Sequence, residues 1–387
     1  MHSRERYDAL VVGARCAGAA TAMLMARRGL KVLVIDRGAY GTDTLSTHAL
    51  MRGAVLQLHR WGLLPRIVEL GTPAVRSTAF HYGDEVVEVA IKPSHGMDAL
   101  YAPRRTVLDS LLVDAAWEAG AEIRHGHSLA GLVRRPDGRV SGAMVYDTDG
   151  HLAEIGADLV VGADGIGSTV ARMVEAPVLH TARHATAAVY GYWSGIAAEG
   201  YRWHYREGVS TGTIPTNAGQ HCIFASVPAE RFRDEIRHDL AAGYRRAVAE
   251  SSPELAAALD GAELDGRLWA FAGRKGFLRR PCGPGWALVG DAGYFKDPLT
   301  AHGITDALRD AELLADAAAR GSAAAFEDYA QTRDALSLPL FEVTDAIASF
   351  TWNLGALKDL HHTLNKAMKR EVEHIAALGT PQLEATP

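Results

Sequence analysis

Tyr7-Asp-Ala-Leu-Val-Val-Gly13-Ala14-Arg15-Cys16-Ala17-Gly18 is the stretch on which the fold turns. The apolar run Asp8–Val12 reads as a buried strand, the glycines as a tight turn, and Ala17–Arg28 as a helix that Gly29 stops. A second apolar run, Lys31–Ile35, reads as the next strand. Strand, glycine turn and helix in that order predict a βαβ unit. Its helix N-terminus presents free N–H groups and a positive dipole end to a pyrophosphate, with Gly13, Ala14, Ala17 and Gly18 as the expected contacts. Asp36 follows Gly18 by 18 residues, at the end of the second strand and beside Arg37. A carboxylate there accepts hydrogen bonds from a ribose diol. Arg15 replaces the middle glycine of the usual pattern, and its side chain either turns away from the phosphates or binds them. A packing turn without a ligand is the bland alternative, and Cys16 reads as a small residue in a tight turn. The unit by itself does not separate NAD from FAD.

Two further blocks lie downstream. The strand Leu159–Val161 leads into Gly162-Ala163-Asp164-Gly165, and the strand Trp286–Val289 leads into Gly290-Asp291, a loop, and a long helix from about Ile304. Between the blocks the pattern alternates, as in half-buried antiparallel strands. Phe80/Tyr82 and Val87/Val89 alternate within Arg76–Ile91, and Tyr190/Tyr192, Trp203/Tyr205 and Ile223/Ala225 follow. A helical segment is expected over Ala229–Glu250, then a short one after Ser252-Pro253. The tail from Phe326 is expected to be helical. There Leu354, Leu357, Leu360, Leu364, Met368, Val372 and Ile375 form one apolar stripe, which packs on the body or on a dimer partner.

Composition narrows the class. The 387 residues are 48% hydrophobic and 22% charged, ordinary for a globular protein. A net charge of −6 argues against nucleic acid or an anionic membrane as the main partner. Only seven of the 40 basic residues are Lys, which carries no functional meaning. Cys16, Cys222 and Cys282 are odd in number and form no CxxC pair. That leaves a disulfide framework or metal site unexpected and fits a reducing cytoplasm. Met1–Tyr7 is polar, so no signal peptide is expected. The longest apolar run, Ala17–Ala26, is too short to span a bilayer. A soluble, cytoplasmic protein is the expectation.

Taken together, the chain resembles the flavoprotein monooxygenases of the para-hydroxybenzoate hydroxylase fold, including the geranylgeranyl-reductase-like branch. The glycine turn carries part of the resemblance. Asp158-Leu-Val-Val-Gly-Ala-Asp164-Gly165-Ile-Gly167-Ser168-Thr-Val-Ala-Arg172 is similar to that family's DG motif. Gly290-Asp291-Ala-Gly-Tyr-Phe-Lys-Asp-Pro298-Leu-Thr-Ala-His302-Gly303-Ile304 is similar to its GD motif, and Arg105-Thr-Val-Leu108 to its flavin-contacting RxxL helix. The resemblance implies an α/β fold with a discontinuous Rossmann-like FAD-binding domain (residues 1–75, 100–175 and 276–325). An antiparallel β-sheet substrate domain (76–99 and 176–275) interrupts it, and C-terminal helices (326–387) close it.

For the cofactor, the resemblance implies FAD, contacted also by Ser46, Thr47, Arg105, Leu129, Asp164, Gly290, Pro298, His302, Gly303 and Ile304. Asp291 is expected to hold the ribityl hydroxyls, and the helix start at Ile304 to stabilise negative charge on the reduced ring. A cap or turn role for Asp291 and Asp164 is the alternative. His48 and His302 are the catalytic candidates, against a satisfied structural histidine or a ring that packs outward. Tyr190, Tyr192, Trp203, Tyr205 and Phe224 are expected either to wall a pocket for a flat apolar substrate or to be plain core. Arg274, Lys275, Arg279 and Arg280 attract an acidic substrate or form a solvated loop.

The implied activity is a monooxygenase that uses NADPH or NADH as transient reductant and O2. It hydroxylates or epoxidises an aromatic or polycyclic small molecule through a flavin C4a-hydroperoxide. A flavin-dependent reductase of isoprenoid double bonds is the nearest alternative, since Asp297-Pro298-Leu299-Thr300 is similar to that branch's loop. A non-catalytic FAD-binding redox sensor is another. No tryptophan pair of the WxWxIP type is present, which sets a halogenase behind. A homodimer and a separate flavin reductase stay open as partners; membrane attachment is disfavoured because Asp359, Glu371 and Glu373 interrupt the basic face of the last helix.

Overall fold

The computed structural model describes residues 5–379; residues 1–4 and 380–387, which the expected first and last segments include, lie outside the described residues. The strand Arg6–Val12 lies at the centre of a parallel array. It pairs with Val32–Asp36 on one side and Leu152–Gly162 on the other, and these pair in turn with Glu122–His125 and Trp286–Leu288. Segments nearly 300 residues apart thus share one eight-stranded sheet, to which Ser128–Arg134 and Val140–Tyr146 add an antiparallel meander. Strands covered on both faces need continuous apolar runs, and Leu10, Val11, Leu33 and Val34 are fully buried. The helices Cys16–Ala26, Arg105–Glu118 and Gly303–Arg320 cover one face through Met23, Leu108, Leu112 and Leu308. The meander covers the other through Val140 and Val145.

The second sheet has seven strands. Its pairs are antiparallel with one exception, Tyr201–Arg206 beside Ser77–Tyr82. Tyr190, Tyr192, Trp203, Tyr205 and Phe224 share its inner face and belong to the same core as the helices of the first sheet. The alternate residues Val189, Ile223 and Ala225 pack outward against Tyr244 and Val248. Two expectations are corrected. The strand Glu85–Ala90 carries the alternation Val87/Val89, yet all six residues are exposed because it is an edge strand with no layer over it. The segment 229–250 is not one helix. A turn of helix at Ala229–Arg231 runs into a wide turn at Phe232–Ile236, and the regular helix begins only at Leu240, where Asp239 caps it by accepting from Ala242 N–H. Val178–Thr181, Phe277–Arg279 and Tyr294–Phe295 form a third, small sheet.

Two long helices follow. Ala323–Ala348 is capped by Ser322 and Leu354–Ala377 by Asn353. The apolar stripe of the last helix docks on the body, with Leu357, Leu364 and Ile375 buried in the main core. Among the described residues no helix is long and apolar enough to cross a membrane. Leu357→Ala is expected to cost ~2–5 kcal/mol in urea unfolding, and Leu360→Ala, which is only half-buried, clearly less. Equal losses would contradict this docking.

Candidate functional site

Three backbone turns meet at the carboxyl ends of the parallel strands, where open α/β sheets bind ligands. At Gly13 the chain adopts φ +107°, and a Cβ there would stand 2.5 Å from the Ala163 carbonyl oxygen. The glycine turn is therefore pressed against the turn that carries Asp164. At Gly290, φ is +55° and a Cβ would stand 3.0 Å from Ala17 Cβ and 3.3 Å from Ala307 Cβ. The start of the helix Cys16–Ala26, the Gly290–Asp291 turn and the helix Gly303–Arg320 are thereby brought into contact. No side chain caps either helix, so both N-termini keep donors for a ligand.

The acids divide into occupied and free. Asp36 accepts from Ala14 N–H (2.7 Å) and Gly38 N–H (2.6 Å); it braces the glycine turn and retains lone pairs outward. Asp164 is occupied more fully. It accepts from Ser168 Oγ–H (2.5 Å), Thr169 N–H (2.6 Å) and Val170 N–H (3.2 Å), so it caps the short helix Thr169–Met173. Asp291 accepts no hydrogen bond from a described residue, and a Cβ on Gly303 would lie 4.0 Å from its Oδ1. Burial pushes its carboxyl up to about 6, against the pull of Lys296 and Arg105. A free carboxylate beside an uncapped helix N-terminus is a donor-and-acceptor set suited to a polyhydroxylated chain ending in a polar ring edge.

Arg105 is buried under the glycine-turn helix. It donates to both oxygens of Asp109 (3.0 and 2.9 Å) and lies 3.7 Å from Cys16 Sγ. Burial raises that thiol to about 11, which leaves it neutral. Arg15 donates to Thr42 O and Asp109, both at 3.1 Å, and to Asp43 O at 3.3 Å; its guanidinium ties down the following loop. A shallow cleft lined by Ala14, Arg15, Asp36, Thr42, Asp109 and His125 opens beside it. Arg37 is exposed and Leu129 half-buried, the latter just past His127, whose N–H donates to Asp36 O at 3.0 Å. A wider cleft of about 540 Å³, lined by Asp8, Arg139, Asp158 and Cys282 among others, holds none of these residues. It opens at the opposite ends of the strands.

The loop after Asp291 is fixed from two sides. Asp297 accepts from Thr186 N–H (2.7 Å), Thr186 Oγ1–H (2.5 Å) and Leu299 N–H (3.1 Å), which joins Pro298 and its neighbours to the second sheet. His302 does not pack outward. Its buried ring bonds Glu371 Oε2 at 2.6 Å, across from the last helix. Glu371 also takes Arg309 (2.6 Å), which bonds Asp306 (3.0 Å), Asp310 (2.8 Å) and Ser337 (2.8 Å), and Lys296 pairs with Asp306. Burial opposes ionisation of Glu371, yet His302 and Arg309 hold it down to about 2. Burial lowers His302 against the pull of Glu371; its ring donates from Nε2 to that carboxylate and leaves Nδ1 without a partner. His302, Asp306 and Glu371 bring possible metal-ligand atoms within 4.8 Å, but Lys296 and Arg309 already neutralise these carboxylates. The set is an ion-pair network. Glu371 had been read as interrupting an exposed basic face; Asp359 and Glu373 are exposed, whereas Glu371 is fully buried. Gly303 is exposed and Ile304 buried, so the helix start opens outward.

The remaining candidates gather at the inner face of the second sheet. His48 is 2% exposed and stacks on Tyr192. Ser46 N–H donates to Tyr190 Oη at 2.9 Å, Ser46 Oγ accepts from His48 N–H at 3.1 Å, and Thr47 between them is half-buried. Trp203 contacts Phe224 (5.7 Å between rings) and Tyr205 contacts Tyr82 (5.6 Å). No motif or periodicity in the sequence marks Arg104, Lys296, Arg309 or Asp109. Arg104 donates to Asp43 Oδ2 (2.9 Å) and Gln220 Oε1 (3.1 Å). Of the basic run near residue 277, Arg279 donates to Ala292 O at 2.8 Å, while Arg274, Lys275 and Arg280 are exposed.

The comparisons with known proteins agree with this geometry. The profile of a family described as "FAD binding domain" matches residues 6–336. Menaquinone reductase of Mycolicibacterium smegmatis is 28% identical over 331 residues, 80% of this chain and 76% of that protein. Digeranylgeranylglycerophospholipid reductase of Methanosarcina mazei is 26% identical over 340 residues, 81% and 75% of the two chains. Among solved structures, a flavin-dependent brominase superposes with a TM-score of 0.81 over 97% of this chain and 96% of that one, at 18% identity. That likeness speaks for the fold alone.

Three outcomes are expected. Asp291→Ala weakens flavin retention more than Asp43→Ala, read as flavin absorbance per protein after gel filtration; equal content would count against a ribityl contact. Because the neutral acid loses an acceptor, flavin affinity should fall as pH falls through about 6, and Asp291→Asn should flatten that dependence. Separately, Glu371→Ala leaves Arg309 and His302 short of a buried partner and should cost ~3–5 kcal/mol in thermal or urea unfolding. A loss under about 1 kcal/mol, the range of exposed pairs, would contradict the network.

Proposed function

The chain belongs to the FAD binding domain family and is an FAD-dependent oxidoreductase; from that premise we propose that it works as a reductase of a double bond in an apolar, isoprenoid-bearing substrate. The observation that carries this is the agreement of sequence relatives over four fifths of the chain. One is a menaquinone reductase and another a digeranylgeranylglycerophospholipid reductase, and both named substrates carry isoprenoid chains. The monooxygenase expectation rests on motifs that the reductase-like branch shares, so they do not favour oxygen chemistry over reduction.

The chain's residues fit FAD in the following way. The N–H groups at Cys16–Ala17 would receive the diphosphate, with Gly13 and Ala14 leaving it room to approach and Arg105 adding positive charge beneath. The outward lone pairs of Asp36 take the adenosine ribose. Asp291 accepts from the ribityl hydroxyls, and the N–H groups from Gly303 and Ile304 face the pyrimidine edge. The bound flavin supplies a reversible store for a hydride. The protein's part is to hold the ring, exclude water and present the substrate. Tyr190, Trp203 and Phe224 provide an apolar wall for it, and NADPH or NADH visits as electron donor without a second glycine turn of its own.

The test is turnover of purified holoenzyme with NAD(P)H and prenylated quinones or geranylgeranyl lipids, following product mass and oxygen together. Formation of a saturated product at the same rate with and without air is expected. Oxygen uptake in step with an oxygenated product would replace this reading with the monooxygenase.

A further inference from the structure

Buried polar atoms in folded proteins nearly always find partners, and each exception calls for an explanation. At the inner face of the second sheet four such atoms have none: Nδ1 and Nε2 of His48, Oη of Tyr192 and Nε of Arg104. They belong to one packed group. The His48 and Tyr192 rings lie 5.6 Å apart and within 16° of parallel, and the Arg104 guanidinium sits 3.4 Å from the centre of the Tyr192 ring. His48 and Tyr192 are each 2% exposed, so bulk solvent does not reach them.

The backbone adds a second, independent sign. His48 holds a left-handed conformation, φ +45°, which is unfavourable for a residue with a side chain and tends to occur where ligands are clamped. The local bonds Ser46 N–H to Tyr190 and His48 N–H to Ser46 Oγ keep it there. Strain and unpaired polarity therefore coincide at one place.

The donors define the chemistry of what fits. Arg104 Nε–H is only a donor, Tyr192 offers its hydroxyl hydrogen, and His48 has one N–H, which the nearby Ala102 carbonyl also draws on. Burial, with Arg104 and Arg105 nearby, lowers His48 to about 3, so its ring is neutral. Asp43 already balances the charge of Arg104 at 2.9 Å, and a carboxylate or phosphate placed here would meet Asp43 as well. An uncharged acceptor with two lone pairs suits the group better. Its neighbours on the same face, Tyr190 and Phe224, are apolar and paired across the strands, and they favour a flat body.

We propose that His48, Tyr192 and Arg104 form the binding site for a carbonyl oxygen of the substrate, which is a flat conjugated carbonyl compound of the quinone class. This rests on the reading above that the inner face of the sheet is the substrate side; it does not depend on which bond is reduced. A carbonyl of the flavin itself has the same chemistry, and the test separates the two sources.

The probes are menadione and methylnaphthalene, which share a ring system but differ in the carbonyl oxygens. Each is titrated calorimetrically into FAD-loaded wild type, Tyr192→Phe, His48→Leu and His48→Asn. Wild type is expected to bind menadione more tightly than methylnaphthalene. Tyr192→Phe should lose about three- to tenfold for menadione, the worth of one hydrogen bond, with no change for methylnaphthalene or in FAD affinity. His48→Asn keeps an N–H and tolerates the left-handed backbone, so it should retain more affinity than His48→Leu. Since Tyr192→Phe removes a hydroxyl with no partner, its holoenzyme should melt no lower than wild type, a readout that a structural role would move. Equal binding of both probes, or no effect of Tyr192→Phe, would overturn the proposal. So would a loss of FAD affinity in place of menadione affinity, because the oxygen would then be the flavin's. Menadione carries no isoprenoid double bond, so its binding tests this site alone; a prenylated naphthoquinone that binds as menadione does but is never reduced would overturn the reductase reading and leave this site standing.

Discussion

Contact between backbone and backbone at the carboxyl edge of the parallel sheet is the constraint from which the other features follow. The glycine turn can touch the Ala163–Asp164 turn only because Gly13 has no side chain, and a Cβ on Gly18 would stand 1.8 Å from the Gly13 carbonyl oxygen. Gly290 meets Ala17 and Ala307 in the same manner. Close packing of this kind transmits strain when one atom is added. It also brings two uncapped helix ends and one free carboxylate into a single neighbourhood, although they come from residues 16, 291 and 303. A long ligand with a negative centre and hydroxylated arm can then bridge segments that have no covalent reason to be near one another.

A second layer holds the far side of that neighbourhood. Six ionisable groups, Lys296, His302, Asp306, Arg309, Asp310 and Glu371, are buried together. Buried ion pairs are weak evidence of stability in themselves, because desolvation offsets their attraction. What they supply here is position. Glu371 reaches from the last helix to the residue preceding Gly303, so the C-terminal helix is part of the scaffold of the site although it contributes no motif. Asp297 has the matching role toward the second sheet through Thr186. The loop at Pro298 is thus pinned between the last helix and the second sheet, which also meet directly where Tyr82 bonds His361.

What was legible in the sequence follows from the range of each interaction. Turn chemistry and strand periodicity are local, so the glycine turn, the Gly290–Asp291 turn and the alternating aromatics could be read directly. Cross-chain pairing could not. His302 and Glu371 are 69 residues apart, and charge alone does not distinguish Glu371 from exposed Asp359 and Glu373. One signal was available: Leu357, Leu364 and Glu371 follow one another at seven-residue steps, which puts the acid on the apolar stripe rather than opposite it. Asp164 shows the reverse case, where a residue expected near a nucleotide has both oxygens committed to a helix start. The break at residues 237–239 was invisible because Asp239 looks like any helical acid until its cap bond is seen. Arg104 was overshadowed by Arg105 beside it, and the two side chains point to different layers.

The central claim is that one FAD lies across this junction, diphosphate at the Cys16 helix end and ring between the Gly303 helix end and the aromatic face that carries Tyr190 and Tyr192. A crystal structure of the FAD-loaded protein tests it most directly. Electron density for the ring within hydrogen-bonding reach of the Gly303–Ile304 backbone, with the ribityl chain against Asp291, is the predicted result. Flavin density in the wide cleft by Asp8, Arg139 and Cys282, or a ring turned away from Asp291, would contradict it.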